Sequence, residues 1–339
     1  MSDTAQQQAG LRRAPIAKWI VALASFALAG VAAAEPLTEP MRARNLSPLT
    51  AIFGVPAWDG GLVNGPVGRL TLTGDIASHF RFATAANESL ILDGETWRTS
   101  LLYERRVGRD WTVAAELPLI RQSGGVLDDV IDAWHSAFNL PDGRRNSRPE
   151  DDLQFYYDAD PGIGFFRSKP GNGIGDGQLS AARALGRGDD WLVKFTLKLP
   201  TGDTDLLAGS GETDVAVSLL RRGATSWRSH PVGWFWGAGL LYLSQPEQLT
   251  VQSNDWVALG MVGVSWQPFT RLGFKLQLDA HSAFYDSALE ELGQAAMQAT
   301  IGGWWSIDRR RVLTVAVIED LIVRAAPDIS IQVGFSWSL

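Results

Sequence analysis

The chain has 339 residues, and 30 Lys and Arg against 37 Asp and Glu give it a formal net charge of −7. This acidic balance argues against a nucleic-acid-binding protein, which needs a basic stripe. The absence of cysteine excludes disulfides, cysteine-ligated metal sites and a lipidated N-terminal cysteine.

Residues 1–34 have the pattern of a cleavable export signal. Basic residues extend to Lys18, the stretch 19–31 carries no charge, and the alanines at 32–34 supply a small-residue cleavage site. We therefore expect a signal peptide at 1–34. The Pro-rich segment 35–66 that follows is expected to be a periplasmic or plug-like segment.

The rest of the chain, 67–339, alternates between apolar and polar residues in short stretches. One example is 191–199, where Trp191, Val193 and Phe195 alternate with Lys194 and Thr196. A period of two is typical of β-strands with two different environments on their faces. Twelve such stretches lie near 68–82, 95–107, 110–121, 177–186, 190–200, 213–222, 232–244, 255–267, 271–285, 294–307, 311–319 and 328–339. The stretch 311–319 is apolar on both faces, so its sides are not assigned.

The connections between these stretches alternate in length. Short links at 108–109, 187–189, 268–270 and 308–310 alternate with longer ones, and the link 223–231 falls at a short-link position. Outer-membrane barrels have short periplasmic turns and long outer loops. The alternation therefore predicts an even number of strands with both termini periplasmic, and twelve fits.

Tryptophan spacing and the final residues favour a membrane-spanning barrel. Trp256 and Trp266 lie ten residues apart on one strand face, and at about 3.3 Å per residue and about 40° tilt they are separated by roughly the 25 Å apolar band between two aromatic girdles. The stretch 329–339 is apolar at every odd position, and a soluble protein rarely leaves such a strand exposed. We predict an all-β fold, a transmembrane antiparallel up-and-down barrel of about twelve strands in the outer membrane.

The longest connection, 122–176, is predicted to be an outer loop with one amphipathic helix. Its apolar residues recur on one helix face, and Pro141 ends the helix. Residues 151–157 are read as a short strand. The residues of interest on the helix are Leu127, Ile131, Trp134, His135 and Phe138.

Polar residues on the non-lipid faces of the strands are predicted to line the lumen. They are Arg69, Asp75, His79, Arg81, Arg98, Glu104, Glu116, Lys194, Lys198, Lys275, Asp279 and His281. Among them the bases outnumber the acids, so an open lumen would favour anions slightly.

Several local strings resemble a family of exported proteobacterial proteins that is catalogued only as a domain of unknown function. The most specific string runs from Gly124-Gly125-Val126-Leu127-Asp128 to Trp134-His135 and closes with Leu140-Pro141-Asp142-Gly143. The others are Arg44-Asn45-Leu46-Ser47-Pro48-Leu49 with Gly54-Val55-Pro56, Asp93-Gly94-Glu95-Thr96, Glu116-Leu117-Pro118-Leu119, Gly173-Ile174-Gly175-Asp176 and Lys198-Leu199-Pro200-Thr201-Gly202-Asp203. The resemblance implies an outer-membrane barrel and brings no catalytic residues.

No constellation in the sequence points to catalysis. His135 with Asp132 would supply two parts of a serine hydrolase triad, but nothing selects the serine, and no Gly-x-Ser-x-Gly string is present. We predict no enzymatic activity, no metal site and no cofactor.

Three function classes remain open. The first is a passive channel for small solutes, hydrophobic and aromatic ones among them. The second is a structural or surface-interaction barrel with a closed lumen, and the third is an outer-membrane lipid hydrolase. The expected partners are the lipid bilayer, lipopolysaccharide and the barrel-assembly machinery, which would read Phe335, Trp337 and Leu339; no nucleic acid is expected, and the oligomeric state is open.

Overall fold

The structure is a computed structural model that describes residues 37–62, 66–125, 152–159, 163–186, 190–247, 253–322 and 325–339. The predicted signal peptide and the predicted loop helix with Leu127, Ile131, Trp134, His135 and Phe138 lie outside these residues. No helix among the described residues is long and apolar enough to cross a membrane.

The regular secondary structure of the described residues is almost entirely β-strand. The strands are β1 (Gly68–Ala85), β2 (Glu88–Val107), β3 (Trp111–Ser123), β4 (Gln154–Ala159), β5 (Ile163–Arg167), β6 (Gly171–Ile174), β7 (Gly177–Leu185), β8 (Trp191–Leu199), β9 (Asp214–Trp227), β10 (His230–Tyr242), β11 (Trp256–Trp266), β12 (Leu272–His281), β13 (Ala296–Ser306), β14 (Arg311–Ile322) and β15 (Ile329–Ser338). Two four-residue helices, α1 (Pro48–Ala51) and α2 (Glu290–Gly293), complete the described elements.

Twelve of these strands form a closed antiparallel barrel, which confirms the predicted fold class. The wall runs β1, β2, β3 and then β7 to β15. Closure comes from β15 pairing with β1, from Arg69 opposite Ser338 to Ser78 opposite Ile329. A closed wall leaves no strand edge unpaired, which a membrane requires of any β-structure that spans it.

The two faces of the wall differ as the alternation predicts. Apolar side chains such as Leu72, Val217 and Val262 are exposed on the outside, whereas their strand neighbours are buried within. Trp256 and Trp266 are 60% and 38% exposed on the outer face near the two ends of β11. In β14, whose sides the sequence left open, Ala316 and Ile318 face inward and Val315 faces outward.

The ends of the barrel are defined by their connections. We call the end with the links 108–110, 186–190, 228–229, 267–271 and 307–310 the short-turn end, and the opposite end the long-loop end. The link expected at 223–231 is a two-residue turn, because Arg228 and Ser229 both take positive φ, 49° and 67°. Positive φ at both turn positions gives the twist that joins two antiparallel strands.

The long-loop end contains more sheet than the sequence predicts. The connection expected at 83–94 is a tight turn at 86–87, since β1 and β2 continue beyond the wall. Strand β4 pairs with the protruding part of β2, and β5 pairs with β4. The short strand expected at 151–157 is β4, displaced by a few residues.

An N-terminal stretch, residues 37–62, is packed against the inward wall and is called the lumen segment below. Its apolar residues Leu49, Ile52 and Phe53 join a buried cluster with wall and loop residues such as Leu241 and Phe284. Most of this cluster lies toward the long-loop end.

Candidate functional site: the barrel interior

The strands place the predicted lumen residues inside the barrel wall. Most of them are buried, and Arg81, Asp279 and His281 are partly buried. The buried ones are Arg69, Asp75, His79, Arg98, Glu104, Glu116, Lys194, Lys198 and Lys275. Buried charges need partners, so the contacts of these side chains define the site.

Wall side chains satisfy main-chain groups of the lumen segment. Gln277 accepts a hydrogen bond from Met41 N at 2.7 Å and donates one to Met41 O at 3.1 Å. Thr112 Oγ1 accepts one from Leu62 N at 2.9 Å. The segment therefore lies in the barrel without a β-strand partner and is held mainly by side chains of the wall.

Glu116 is the centre of the first charge cluster. Its carboxylate lies 2.7 Å from Arg42, 2.8 Å from Arg44 and 2.6 Å from Arg98. Arg42 and Arg44 belong to the lumen segment and Arg98 to β2, so one wall carboxylate links the segment to the barrel. Burial lowers the pKa of Arg44 to about 10, although Glu116 opposes this, so Arg44 is charged at neutral pH.

A second set of ion pairs lies at the short-turn end. Asp59 of the lumen segment contacts Lys194 and lies 3.3 Å from Arg42. Glu39 of the segment and Glu104 of β2 both lie 2.6 Å from Arg69. Burial disfavours the charged forms of Glu39 and Asp59, but the neighbouring cations outweigh it and hold the pKa of each carboxyl below its usual value.

Lys198 is the centre of a third cluster, where two of the family-like strings meet. Its Nζ lies 2.8 Å from Asp176 and 3.0 Å from Asp214. It also donates to Ile52 O of the lumen segment at 3.3 Å. Asp176 accepts hydrogen bonds from Gly202 N and Ser210 N, at 2.7 and 3.1 Å, so the carboxylate also fixes the loop that follows β8.

The sequence missed six members of these clusters. Asp176 precedes β7 and lies outside the alternating stretches, whereas Asp214 stands at the start of the stretch near 213–222 but was not assigned to the lumen. The other four lie in a segment that has no strand pattern: Glu39, Arg42, Arg44 and Asp59. The only signal there was the spacing of Arg42 and Arg44, which stand two residues apart. With these residues included, the excess of lumen bases inferred from the sequence is compensated, which removes the basis for the expected anion preference.

Three further predicted residues have other partners. Arg81 lies 2.6 Å from Asp328 in the connection before β15. Asp75 accepts a hydrogen bond from Gln332 at 2.7 Å. Lys275 donates to the main-chain oxygen of Glu39.

The two interior histidines, His79 and His281, contact uncharged side chains. His281 Nε2 lies 2.9 Å from Asn45 Nδ2, whereas Asp279 accepts hydrogen bonds from Gln277 at 3.1 and 2.9 Å. His79 Nε2 lies 2.9 Å from Thr96 Oγ1. His135 lies outside the described residues, so its predicted role in the loop stays a prediction. Within the described ranges no group of three or more His, Cys, Asp or Glu is placed to hold a metal ion.

Among the described residues, cavities lie between the lumen segment and the wall, and two of them bear on the function. The larger, about 70 Å³, is bounded by Glu39 and Arg42 of the segment and by hydroxyls of β1, β14 and β15. Those hydroxyls belong to Thr71, Thr73, Thr314, Ser336 and Ser338. This cavity is large enough to hold water, because a cavity needs roughly 10–15 Å³ of space to admit a single water molecule.

The smaller cavity, about 30 Å³, is bounded by Arg44, Arg98 and Gln122 among others. Gln122 is 1% exposed, and neither of its amide atoms has a partner among the described residues. An unpartnered buried amide is costly, so we expect water to bridge it in this cavity.

The interior is thus asymmetric across the barrel. Most of the segment's ion pairs reach β3 and β8, with one more to Arg69 of β1, and the larger cavity lies against the hydroxyl-bearing strands β14, β15 and β1. Toward the long-loop end the interior is apolar, with Phe53 stacked on Phe284 at 5.2 Å between ring centroids.

Comparison with solved structures shows the fold that the chain shares. The crystal structure of the COG4313 outer membrane channel from Pseudomonas putida F1 is similar at a TM-score of 0.50 with 12% identity, and the match covers 80% of this chain and 95% of that one. The NanC porin matches at a TM-score of 0.42 with 11% identity over 80% and 100% of the two chains. The Ralstonia pickettii toluene transporter TbuX matches at a TM-score of 0.36 with 8% identity over 81% and 90%. These structural neighbours are outer-membrane barrels.

No curated protein matches the sequence of this chain. Residues 17–339 match the family described as "Protein of unknown function (DUF3187)", in agreement with the resemblance seen in the local strings. The chain therefore belongs to the DUF3187 family, an uncharacterised family with an outer-membrane barrel fold.

Proposed function

We propose that this protein is a passive outer-membrane channel for small uncharged solutes, apolar and aromatic ones included, and that the lumen segment closes it in the conformation described here. The observation that carries the proposal is the asymmetry of the interior. Most of the segment's ion pairs reach β3 and β8, with one more to Arg69 of β1, and a cavity remains beside the hydroxyl-bearing strands.

The way the lumen segment is attached supports a movable closure. Its polar links to the wall are hydrogen bonds and ion pairs from side chains rather than a continuous strand ladder. Such contacts can be exchanged for water when the segment shifts, because the groups involved are polar or charged.

The solute class follows from what an entering molecule would meet. Near the long-loop end it would meet aromatic and aliphatic side chains such as Phe53 and Phe284. Near the short-turn end it would meet hydroxyls and wall charges that already have partners. A charged solute would lose its hydration without gaining a free counter-charge. An uncharged solute avoids this cost because it has no charge to desolvate.

The test uses the absence of native cysteine. Asp59→Cys with Lys194→Cys places one thiol on the lumen segment and one on β8, where the two native side chains touch. A reducible bifunctional thiol reagent would link them in purified protein in liposomes. We expect uptake of uncharged solutes, followed by liposome swelling, to fall to the protein-free rate on linking and to recover on reduction.

The control is the pair Arg228→Cys and Ser229→Cys in an exposed turn, which should keep its uptake after the same treatment. If the unlinked protein gives no uptake above protein-free liposomes, the channel proposal is wrong.

A closed structural or surface-interaction barrel is the second candidate. The dense pairing of interior charges favours it, as does the sheet that β4 and β5 add beyond the wall, where Phe166 is 63% exposed. This candidate predicts no uptake in the linked or the reduced state. An outer-membrane lipid hydrolase would need His135 and a nucleophile in contact with it; it stays a prediction without support from the described residues.

We further propose that residues 1–34 are removed on export and that lipopolysaccharide and the barrel-assembly machinery are partners. Phe335, Trp337 and Leu339, the residues that the machinery would read, are 37%, 47% and 54% exposed on the outer face of the wall. The intact mass of protein from outer membranes tests the cleavage, and a mass that includes residues 1–34 would contradict it. Phe335→Ala with Trp337→Ala should slow membrane insertion by purified assembly machinery, and an unchanged rate would count against that contact.

A further inference from the structure

Arg221 is a charged residue on the lipid-facing side of the barrel. Its neighbour in β9, Leu220, is buried in the interior at 3% exposure, so Arg221 points outward. Its cross-strand partners are Trp191 of β8 and Trp236 of β10, which also point outward. Charged side chains on the lipid face of a barrel are costly unless they lie near an interface.

Tryptophan rings hold the Arg221 side chain in place. Its guanidinium carbon lies 4.8 Å from the ring centroid of Trp191 and 5.7 Å from that of Trp234. The Trp234 ring lies over Gly223, where an added Cβ would come within 2.4 Å of the ring. The glycine therefore allows the ring to lie flat against the sheet and reach the guanidinium.

Unlike most of the interior cations, Arg221 has no anionic partner among the described residues. It forms no ion pair or hydrogen bond with the residues the structure describes, and its Nε is buried without a partner. The rings attract the cation through cation–π contacts but accept no strong hydrogen bond from its five N–H groups.

The position of the patch matches a membrane interface. Trp191 is the first residue of β8 after the short turn, and Arg221 lies opposite it. Short turns face the periplasm in this class of barrel, and tryptophan is enriched at headgroup level. A second outward cation, Arg183 of β7, lies nearby and is itself 5.6 Å from the ring of Trp111.

We propose that Arg221, held by Trp191 and Trp234, binds the phosphate headgroup of an anionic phospholipid in the periplasmic leaflet. The planar guanidinium can donate two parallel hydrogen bonds to phosphate oxygens, and ring stacking orients it before the lipid arrives. An anionic lipid is favoured over a zwitterionic one because the short-turn end adds further exposed cations, Arg105, Arg183 and Arg228.

The experiment is competition between lipids on the purified full-length barrel. Protein in detergent with equal amounts of phosphatidylglycerol and phosphatidylcholine is transferred to native mass spectrometry. We expect the wild type to retain phosphatidylglycerol about fivefold or more over phosphatidylcholine, which is roughly the effect of one cation at an anionic membrane surface.

Arg221→Met should lose most of this preference and still fold, because an apolar side chain suits the lipid face. Arg310→Gln is the matched control: it removes one positive charge from an exposed turn at the same end and should leave the preference unchanged. Heat-modifiable gel mobility verifies the fold of each variant, and Arg221→Gln serves if Arg221→Met is not recovered.

Three results would overturn the proposal. One is equal retention of the two lipids by the wild type. Another is an undiminished preference in the Arg221 variants, which would make Arg221 only a stacked surface arginine. The last is displacement of phosphatidylglycerol by excess inorganic phosphate, which would indicate a site for the free anion rather than the lipid.

Discussion

Individual glycines in this barrel make room for side chains that cross between elements. Gly237 of β10 faces the interior, and a Cβ there would come within 2.5 Å of the Trp58 ring of the lumen segment. Gly260 of β11 has nothing within 4 Å of an added Cβ. Alanine substitutions at the two positions therefore distinguish the effect of crowding from the effect of adding a methyl group.

We therefore predict that Gly237→Ala destabilises the packing of the lumen segment. Overpacking of a filled interior costs about 1–3 kcal/mol, so the guanidinium midpoint of unfolding should fall and residues near Trp58 should become more accessible to protease. Gly260→Ala should leave both measurements unchanged. Equal behaviour of the two variants would mean that Trp58 does not rest on Gly237.

Gly125 belongs to the most specific of the family-like strings, and its backbone conformation and contacts explain why a glycine stands at this position. It has φ of +122°, and a Cβ there would lie 2.6 Å from the carboxylate of Glu95. Gly108, in a short turn, has φ of +65° with open space around it. At position 125, both the backbone conformation and the close contact with Glu95 require glycine. At position 108, only the backbone conformation does.

Gly125→Ala should therefore cost more stability than Gly108→Ala, for which we expect about 1 kcal/mol from backbone strain alone. Denaturant unfolding of the two variants in the same detergent gives the difference directly. A Gly108 variant as damaging as the Gly125 variant would contradict the role of Glu95.

At the scale of elements, the lumen segment is attached to the wall by a few shared carboxylates. Glu116 serves Arg42 and Arg44 of the segment and Arg98 of β2. Removing one partner of a buried ion pair leaves an uncompensated charge, which costs far more than the loss of an exposed pair.

We predict that Glu116→Gln lowers the free energy of unfolding by about 3–5 kcal/mol and raises solute uptake, because three buried guanidinium groups lose their shared anion. The comparison variant is Asp308→Asn, which breaks the exposed pair with Arg311 at the short-turn end. Its effect on stability and uptake should be small. A Glu116→Gln protein with wild-type stability would show that Arg42 and Arg44 do not depend on this carboxylate.

At the scale of the whole molecule, the attachment of the lumen segment is linked to pH through Glu39 and Asp59. The pKa of each carboxyl is held below its usual value by cations that outweigh burial: Arg69, Lys275 and Arg222 around Glu39, and Lys194, Arg42 and Arg69 around Asp59. A lowered pKa in the attached state stabilises that state fully above the ordinary carboxyl pKa, and the stabilisation is lost as pH falls through the lowered value.

Uptake should therefore stay constant from neutral pH down to about pH 4, the ordinary carboxyl range, and rise below it. Liposome swelling at a series of pH values measures this. Asp59→Asn should raise uptake at neutral pH and weaken the acid response, because it removes one of the two titrating groups. An acid response that is the same in this variant as in the wild type would place the titration elsewhere.

The sequence alone was sufficient for the barrel wall because the membrane imposes a local rule. Each spanning strand must be apolar on its lipid face, and every backbone group must be paired. The alternation of residues such as Val193 and Lys194 therefore predicts which face of the wall each occupies. The alternating link lengths predict that the number of strands is even. The rule does not apply beyond the wall, so β5 and the tight turn after β1 were predicted as loop, and β4 was predicted only as a short strand within the long connection.

The occupant of the lumen was decided only by the tertiary structure. Met41 meets Gln277, and Arg44 meets Glu116, across long stretches of chain, and no periodicity in a sequence reports contacts between residues so far apart. The lumen segment has no strand pattern, because its backbone is satisfied by side chains of many strands rather than by one neighbour. Arg221 breaks the alternation of β9 in the sequence, but its meaning depends on tryptophans that three-dimensional pairing brings from β8 and β10. Periodicity determined which residues face inward, and packing decided what fills the space between them.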